Sequence, residues 1–219
     1  MSGGEAPAPM PVTMAALPPE TTADQDRALV ERAQAGNIEA FEMLVRRYQG
    51  WVFTLAVRML GDRAEAEDMA QEIFLKTYRG LKKFKGASRF STWLYAIASH
   101  HCLNQVAARR RRPRHSHPGN HSDHLPTQTP SAVNGLVDQS PRADALLERT
   151  DLVRLVQAEL ANLTPEHRII LVLRDIQGLS YEEIAHALRL EIGTVRSRLH
   201  RARMEMRTRL TPHIDVSHP

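Results

Sequence analysis

Residues 180–210 constrain this chain more than any other stretch, because they read as two short helices joined by a tight turn, the second of them basic along one side. Ser180 is placed to cap the first helix, and Glu183 three residues later completes a capping box. Ile184, Ala185 and Leu188 form its inward stripe. Gly193 supplies a turn position and Thr194 an N-cap for the second helix. In that helix Val195, Leu199, Ala202 and Met206 recur every three to four residues and need a surface to bury against. Arg196, Ser197, Arg198, His200, Arg201 and Arg203 are then left facing outward. A guanidinium is a rigid fork of donors that suits both phosphate oxygens and the major-groove edge of guanine. The order of cap, helix, turn, cap and basic helix predicts a helix-turn-helix that reads a DNA duplex; the plainer alternative is a solvated basic helix.

The 219 residues allow one large domain or two small ones. Charged residues make up 25% and aromatics 5%, with no long β-branched alternation, which favours helices over sheets. The net charge of +4 is modest, but a pI near 9.6 and clustered arginines point to a polyanionic partner. A single cysteine, Cys102, excludes an internal disulfide framework and a multi-thiolate zinc site within the chain. There is no apolar run of about 18 residues and no secretion signal at the start, so a soluble cytoplasmic protein without membrane insertion is expected.

Residues 1–24, rich in Pro, Ala, Gly and Thr, read as a disordered tail. A first block covers residues 25–112. Gly36 and Asn37 separate two helices, and in the second Phe41, Leu44, Val45, Tyr48, Val52, Leu55, Ala56 and Met59 keep helical spacing. Gly61 ends it, and Asp62 with Glu65 opens the next helix as a capping box. After a Lys- and Gly-rich loop, Ser91 is a predicted N-cap for a further helix. Residues 113–144 are polar and punctuated by Pro118, Pro126, Pro130 and Pro141, a flexible His- and Pro-rich linker. A second helical block covers residues 145–211, with Thr164 and Pro165 as a cap and first-turn proline, and residues 212–219 form a tail. The expected fold is all-α: two small helical domains joined by a flexible linker.

Two helical blocks in this order, the second a helix-turn-helix, resemble the bacterial sigma-70 family, and within it the two-domain extracytoplasmic-function (ECF) sigma factors. The resemblance is carried by the run from Asp62 to Arg79, by Phe84, Lys85 and Gly86 with the run from Phe90 to Tyr95, and by the run from Leu163 to Glu166. The runs from Gly178 to Ala185 and from Gly193 to Arg203 complete it. It implies a sigma-2-like bundle that binds the polymerase beta-prime clamp and the minus-10 element. It also implies a sigma-4-like domain that binds the beta flap and the minus-35 duplex, with an anti-sigma factor as a further partner.

Carried onto this chain, the resemblance makes Asp68, Gln71 and Glu72 the clamp-docking face. Glu65, Glu67, Asp68 and Glu72 make one acidic helix in a basic protein, which suits a basic protein partner better than DNA; a solvated face favoured by the helix dipole is the alternative. Lys85, Arg89, Trp93, Tyr95, His100, Asn104, Arg109 and Arg110 become the minus-10 and melting residues. Trp93 and Tyr95 supply stacking faces amid positive charge, the chemistry of single-strand capture, although either aromatic serves equally well in a core. His100 departs from the Asn frequent at that position in relatives. Arg196, Ser197, Arg198, His200, Arg201 and Arg203 become the minus-35 residues, with Ser197 and Arg201 toward base edges.

Opening about ten base-pair steps costs roughly 14 kcal/mol, and stacking two or three bases returns ~2–9 kcal/mol, so the resemblance makes core polymerase a necessary partner. The alternative is a freestanding helix-turn-helix regulator. No phosphate-cradling Gly loop, nucleophile motif or fixed metal site supports an enzyme. No cofactor is expected, and the histidines at 115, 117, 121 and 124 are not read as a metal site of fixed geometry.

Overall fold

The computed structural model describes residues 21–111 and 143–214, so most of the expected linker and of the two tails lies outside the described residues. Among the described residues there is no strand. The first block holds α1 (Thr21–Gln34), α2 (Ile38–Leu60), α3 (Arg63–Leu81) and α4 (Phe90–Arg111). The second holds α5 (Ala143–Asn162), α6 (Pro165–Leu171), a π-helical turn (Val172–Ile176), α7 (Tyr181–Leu188) and α8 (Ile192–Ile214). α1 begins inside the segment expected as a tail.

Local chemistry sets most boundaries. Asn37 accepts from Ala40 N–H to start α2, and Gly61, at φ +80°, ends it with its own N–H on Val57 O. Asp62 caps α3 through Glu65 N–H, and Thr164 caps α6 with Pro165 in its first turn. The capping box at Ser180 and Glu183 forms in both directions. Three expectations are corrected. α4 starts at Phe90, so Ser91 lies inside the helix rather than capping it. α8 starts at Ile192, which puts Gly193 and Thr194 in its first turn. The positive-φ residue of the turn between α7 and α8 is Arg189, at φ +54°. Leu190 N–H bonds Ala185 O across it, and that closure holds a non-glycine residue in the left-handed region.

The first core gathers Leu44, Val52, Leu55, Met59, Ile73, Leu94 and Ala98, all essentially inaccessible. Each buried Leu or Ile contributes about 1.5–3 kcal/mol. α1 is pinned by one buried carboxylate: Asp26 accepts from Arg47 and from the Tyr48 hydroxyl of α2. Burial and that carboxylate both push the Tyr48 phenol above its ordinary range. The second core gathers Leu163, Ile169, Ile170, Leu173, Leu179, Ile184, Val195 and Leu199. The two cores meet, with α7 lying against α4 and α5 and α6 against α2.

Candidate nucleic-acid interface

α8 lies against α6 and α7 through Val195, Leu199 and Ala202, all buried. Its other side presents Arg196, Ser197, His200 and Arg201 to solvent, with Arg198 half-buried beside them. Ser197 Oγ donates to Thr194 O at 3.1 Å, which orients its hydroxyl within the first turn. Arg203 is placed differently from its neighbours. Its guanidinium forks onto Asp175, Nε to Oδ2 at 3.0 Å and Nη2 to Oδ1 at 2.5 Å. That pair holds the Arg203 charge and raises its pKa further. The π-helical turn brings Asp175 there. Its extra residue shifts the register, and Gln177 N–H reaches back to Val172 O at 2.9 Å. Nothing in the residue pattern announced this turn.

On α3, Asp68, Gln71 and Glu72 stand together on one exposed side. Glu72 is not a loose carboxylate. Lys76 Nζ donates to His101 Nδ1 at 2.6 Å, and His101 Nε2–H donates to Glu72 Oε2 at 2.7 Å. Leu75 and Tyr78, both about half exposed, extend the same side toward the end of α3.

The minus-10 candidates are split by the fold. Lys85, Arg89, Asn104, Arg109 and Arg110 are exposed. Trp93 is half-buried, its ring 4.8 Å from Phe84 and 6.0 Å from Phe90. His100 is half-buried and donates through Nδ1 to Ala96 O at 2.7 Å, leaving Nε2 as its outward atom. Arg109 donates to Leu60 O at 3.2 Å and pairs with Glu65. Tyr95 offers no face at all in this arrangement: it is fully buried and stacked on Trp51 at 4.1 Å between centroids. Burial pushes its phenol above the ordinary range. Period alone did not separate Trp93 from Tyr95, because α4 is covered on more than one side.

Residue patterns also missed a set of polar side chains that join the blocks. Arg168, 6% exposed, donates to Met59 O at 2.5 Å and also to Ala161 O. Gln177 donates to Trp51 O at 3.1 Å. Gln157 donates to Val57 O at 3.3 Å and accepts from Arg58 at 3.0 Å. The one available signal was Arg168 directly preceding the five-residue apolar run Ile169–Leu173. Among the described residues no cluster of three or more His, Cys, Asp or Glu could hold a metal, and no helix is long and apolar enough to cross a membrane.

The chain matches Sigma-70 region 2 over residues 44–112 and Sigma-70, region 4 over residues 154–206. It is 40% identical over 191 residues to the RNA polymerase sigma-H factor of Pseudomonas aeruginosa, covering 87% of this chain and 96% of that protein. It belongs to the ECF sigma factors of the sigma-70 family. The ECF RNA polymerase sigma-E factor of Escherichia coli K12 is 37% identical over 189 residues, 86% of this chain and 96% of that one. A solved structure of CnrH in complex with the cytosolic domain of CnrY superposes with a TM-score of 0.61 at 26% identity, over 86% of this chain and 99% of that one. A structure of the sigma factor RpoE with the anti-sigma factor NepR from Bartonella quintana shares the fold, with a TM-score of 0.55 at 22% identity over 78% and 96%. As an ECF sigma factor the chain is a non-enzymatic initiation subunit that works with RNA polymerase on promoter DNA, and a freestanding regulator is not favoured.

Proposed function

We propose that this sigma factor distributes promoter reading between α8 and α4, and polymerase docking to α3. The observation that carries the proposal is the basic side of α8. Arg196, Ser197, His200 and Arg201 are exposed on a helix held by a formed helix-turn-helix, ready for a major groove. Arg201 and Ser197 take base edges, and Arg198 takes phosphate. Arg203 contributes less than its position suggests, because Asp175 already occupies its fork. Lys85, Arg89, Trp93, His100, Asn104, Arg109 and Arg110 take the minus-10 strand, with Trp93 as the stacking face and Tyr95 as its buried support. Asp68, Gln71 and Glu72 dock on a basic surface of the beta-prime clamp. An anti-sigma factor, as NepR is for RpoE in the solved complex, regulates the chain, and the chain acts in the cytoplasm.

The test is run-off transcription with purified core polymerase on pooled promoter fragments. Specific transcripts that depend on this chain, and that disappear with an Asp68→Ala/Glu72→Ala double substitution, support the assignment. Transcripts unaffected by that double substitution would remove α3 from the docking role.

A further inference from the structure

The segment that joins α3 to α4 has no regular structure of its own, yet it carries Lys85 and Arg89 and leads into Trp93. Such a segment drifts unless something ties it down. The tie comes from α1. Gln34, the last residue of that helix, donates both amide hydrogens, to Leu81 O at 2.9 Å and to Phe84 O at 2.8 Å. One planar NH2 group thereby fixes the end of α3 and the first bend of the segment at once. Leu81 O also accepts from Phe84 N–H at 3.0 Å, which closes that bend. α1 is itself held: Leu29, Val30 and Ala33 are buried, and Asp26 meets Arg47 and Tyr48 of α2.

What Gln34 holds continues into an aromatic. The Phe84 ring lies 4.8 Å from that of Trp93. The indole also meets α3 at Gly80, where an added Cβ would stand 3.2 Å from Trp93 Cζ2 and 3.4 Å from Cη2. A glycine at that point lets the ring lie close on the helix backbone. Apolar packing alone leaves the segment room to move, because a cavity of about 510 Å³ opens between it and α1. Val30, Gln34, Phe84, Lys85 and Ser88 are among the residues lining it. The Gln34 amide therefore decides where the segment sits. All of α1 precedes residues 44–112, over which the chain matches Sigma-70 region 2.

We infer that Gln34 is a positioning residue for strand capture. Its two hydrogen bonds hold the segment from Lys82 to Arg89 and, through Phe84, keep the Trp93 indole on Gly80 in the pose that receives an unpaired base. The inference rests on the minus-10 reading given above. A stacking face contributes fully only when it is already in place, and an indole that must first be ordered gives part of the gain back. Lys85 follows Phe84 directly, so the same tie sets the point from which its ammonium reaches the strand's phosphates. Gln34 acts through the segment and Trp93 rather than on the base.

The experiment uses the full chain with core polymerase and a fluorescein-labelled single strand taken from a promoter recovered in the run-off assay. Gln34→Met keeps the length of the side chain and removes both donors. It should weaken strand binding by about 5- to 10-fold, within what one stacked base supplies, with binding to core polymerase unchanged. Gln34→Lys restores a donor of comparable reach, which the negative end of α3 favours, and should recover most of the loss. Gly80→Ala should also weaken strand binding, by a smaller factor, while thermal unfolding holds or rises, because replacing a helical glycine favours α3. That variant covers the case in which Gln34→Met harms folding. In a Trp51→Phe chain Trp93 is the single tryptophan, and Gln34→Met should shift its emission. Strand binding that Gln34→Met and Gly80→Ala leave intact while Trp93→Ala abolishes it would overturn the positioning role, as would a Trp93 emission that does not shift. So would losses that follow the unfolding temperature across the variants with no recovery in Gln34→Lys. Strand binding indifferent to Trp93→Ala as well would bring down the minus-10 reading, and this inference with it.

Discussion

α8 and α4 are the two helices assigned to DNA, and they are built in opposite ways. α8 shows its chemistry: its buried stripe is narrow, and Arg196, His200 and Arg201 are exposed on its other side. α4 is hemmed in by α2 and α3 within its own block and by α6 and α7 from the other, so its aromatics sort into a buried Tyr95 and a half-covered Trp93. A duplex can be read by a rigid, preformed surface, because the groove presents its edges without being opened. A single strand must be captured, and the side chains that do so have apolar faces that water penalises. Under the proposed assignment, the duplex-reading side chains of α8 stand exposed in the free protein, whereas the aromatic proposed for strand capture, Trp93, is partly covered.

The largest effect expected from this contrast is on α4. Tyr95→Ala removes a fully buried ring stacked on Trp51 and should cost about 3–5 kcal/mol of stability in urea unfolding. Trp93→Ala should cost clearly less stability while reducing strand opening, read by permanganate reactivity of the minus-10 thymines. Equal stability losses at the two positions would erase the distinction between support and stacking face. Next in size is Arg201→Ala, which should cost about 1–3 kcal/mol on a matched minus-35 duplex and relax preference at one base pair. Equal loss on matched and scrambled duplexes would make Arg201 a phosphate contact. The smallest effect concerns how α8 is anchored. His167 Nδ1–H donates to Glu205 at 2.8 Å, and that hydrogen bond, with Arg209 nearby, holds the Glu205 carboxyl below its usual value of 4.5. A depressed carboxylate pKa stabilises the fold above the unfolded value and ceases to as pH falls through the folded one. Compared with Glu205→Gln, the unsubstituted chain should hold an advantage of under about 1 kcal/mol at pH 7. That advantage should shrink below pH 4.5 in thermal unfolding. An advantage that grew on acidification would show that the contact does not anchor α8.

Much of this was legible in the residues because it is local. A cap, a turn or a helical stripe is decided within a few positions, as Asn37, Asp62, Thr164 and the Ser180–Glu183 box show. The acidic side of α3 and the basic side of α8 are likewise written at helical spacing. What escaped was set by partners distant in sequence. Tyr95 and Trp93 have the same local appeal, and only Trp51, Phe84 and Phe90 decide their fates. Gln157 and Gln177 look like ordinary polar residues until α2 arrives beside them, its end at Gln157 and its middle at Gln177. The turn into α8 was misplaced because Gly193 is the residue that fits a turn most easily, whereas Leu190 closing on Ala185 makes Arg189 serve instead.

The fork between Arg203 and Asp175 changes how α8 looks to a polyanion. Each protein cation that neutralises a phosphate sets free condensed counterions, and each steepens the fall of binding with salt by about 0.9 on a logarithmic scale. A guanidinium already matched by a carboxylate releases no such ions until that carboxylate lets go. α8 is therefore a weaker polycation than its arginine count indicates, and the duplex affinity it supports should hold up better as ionic strength rises.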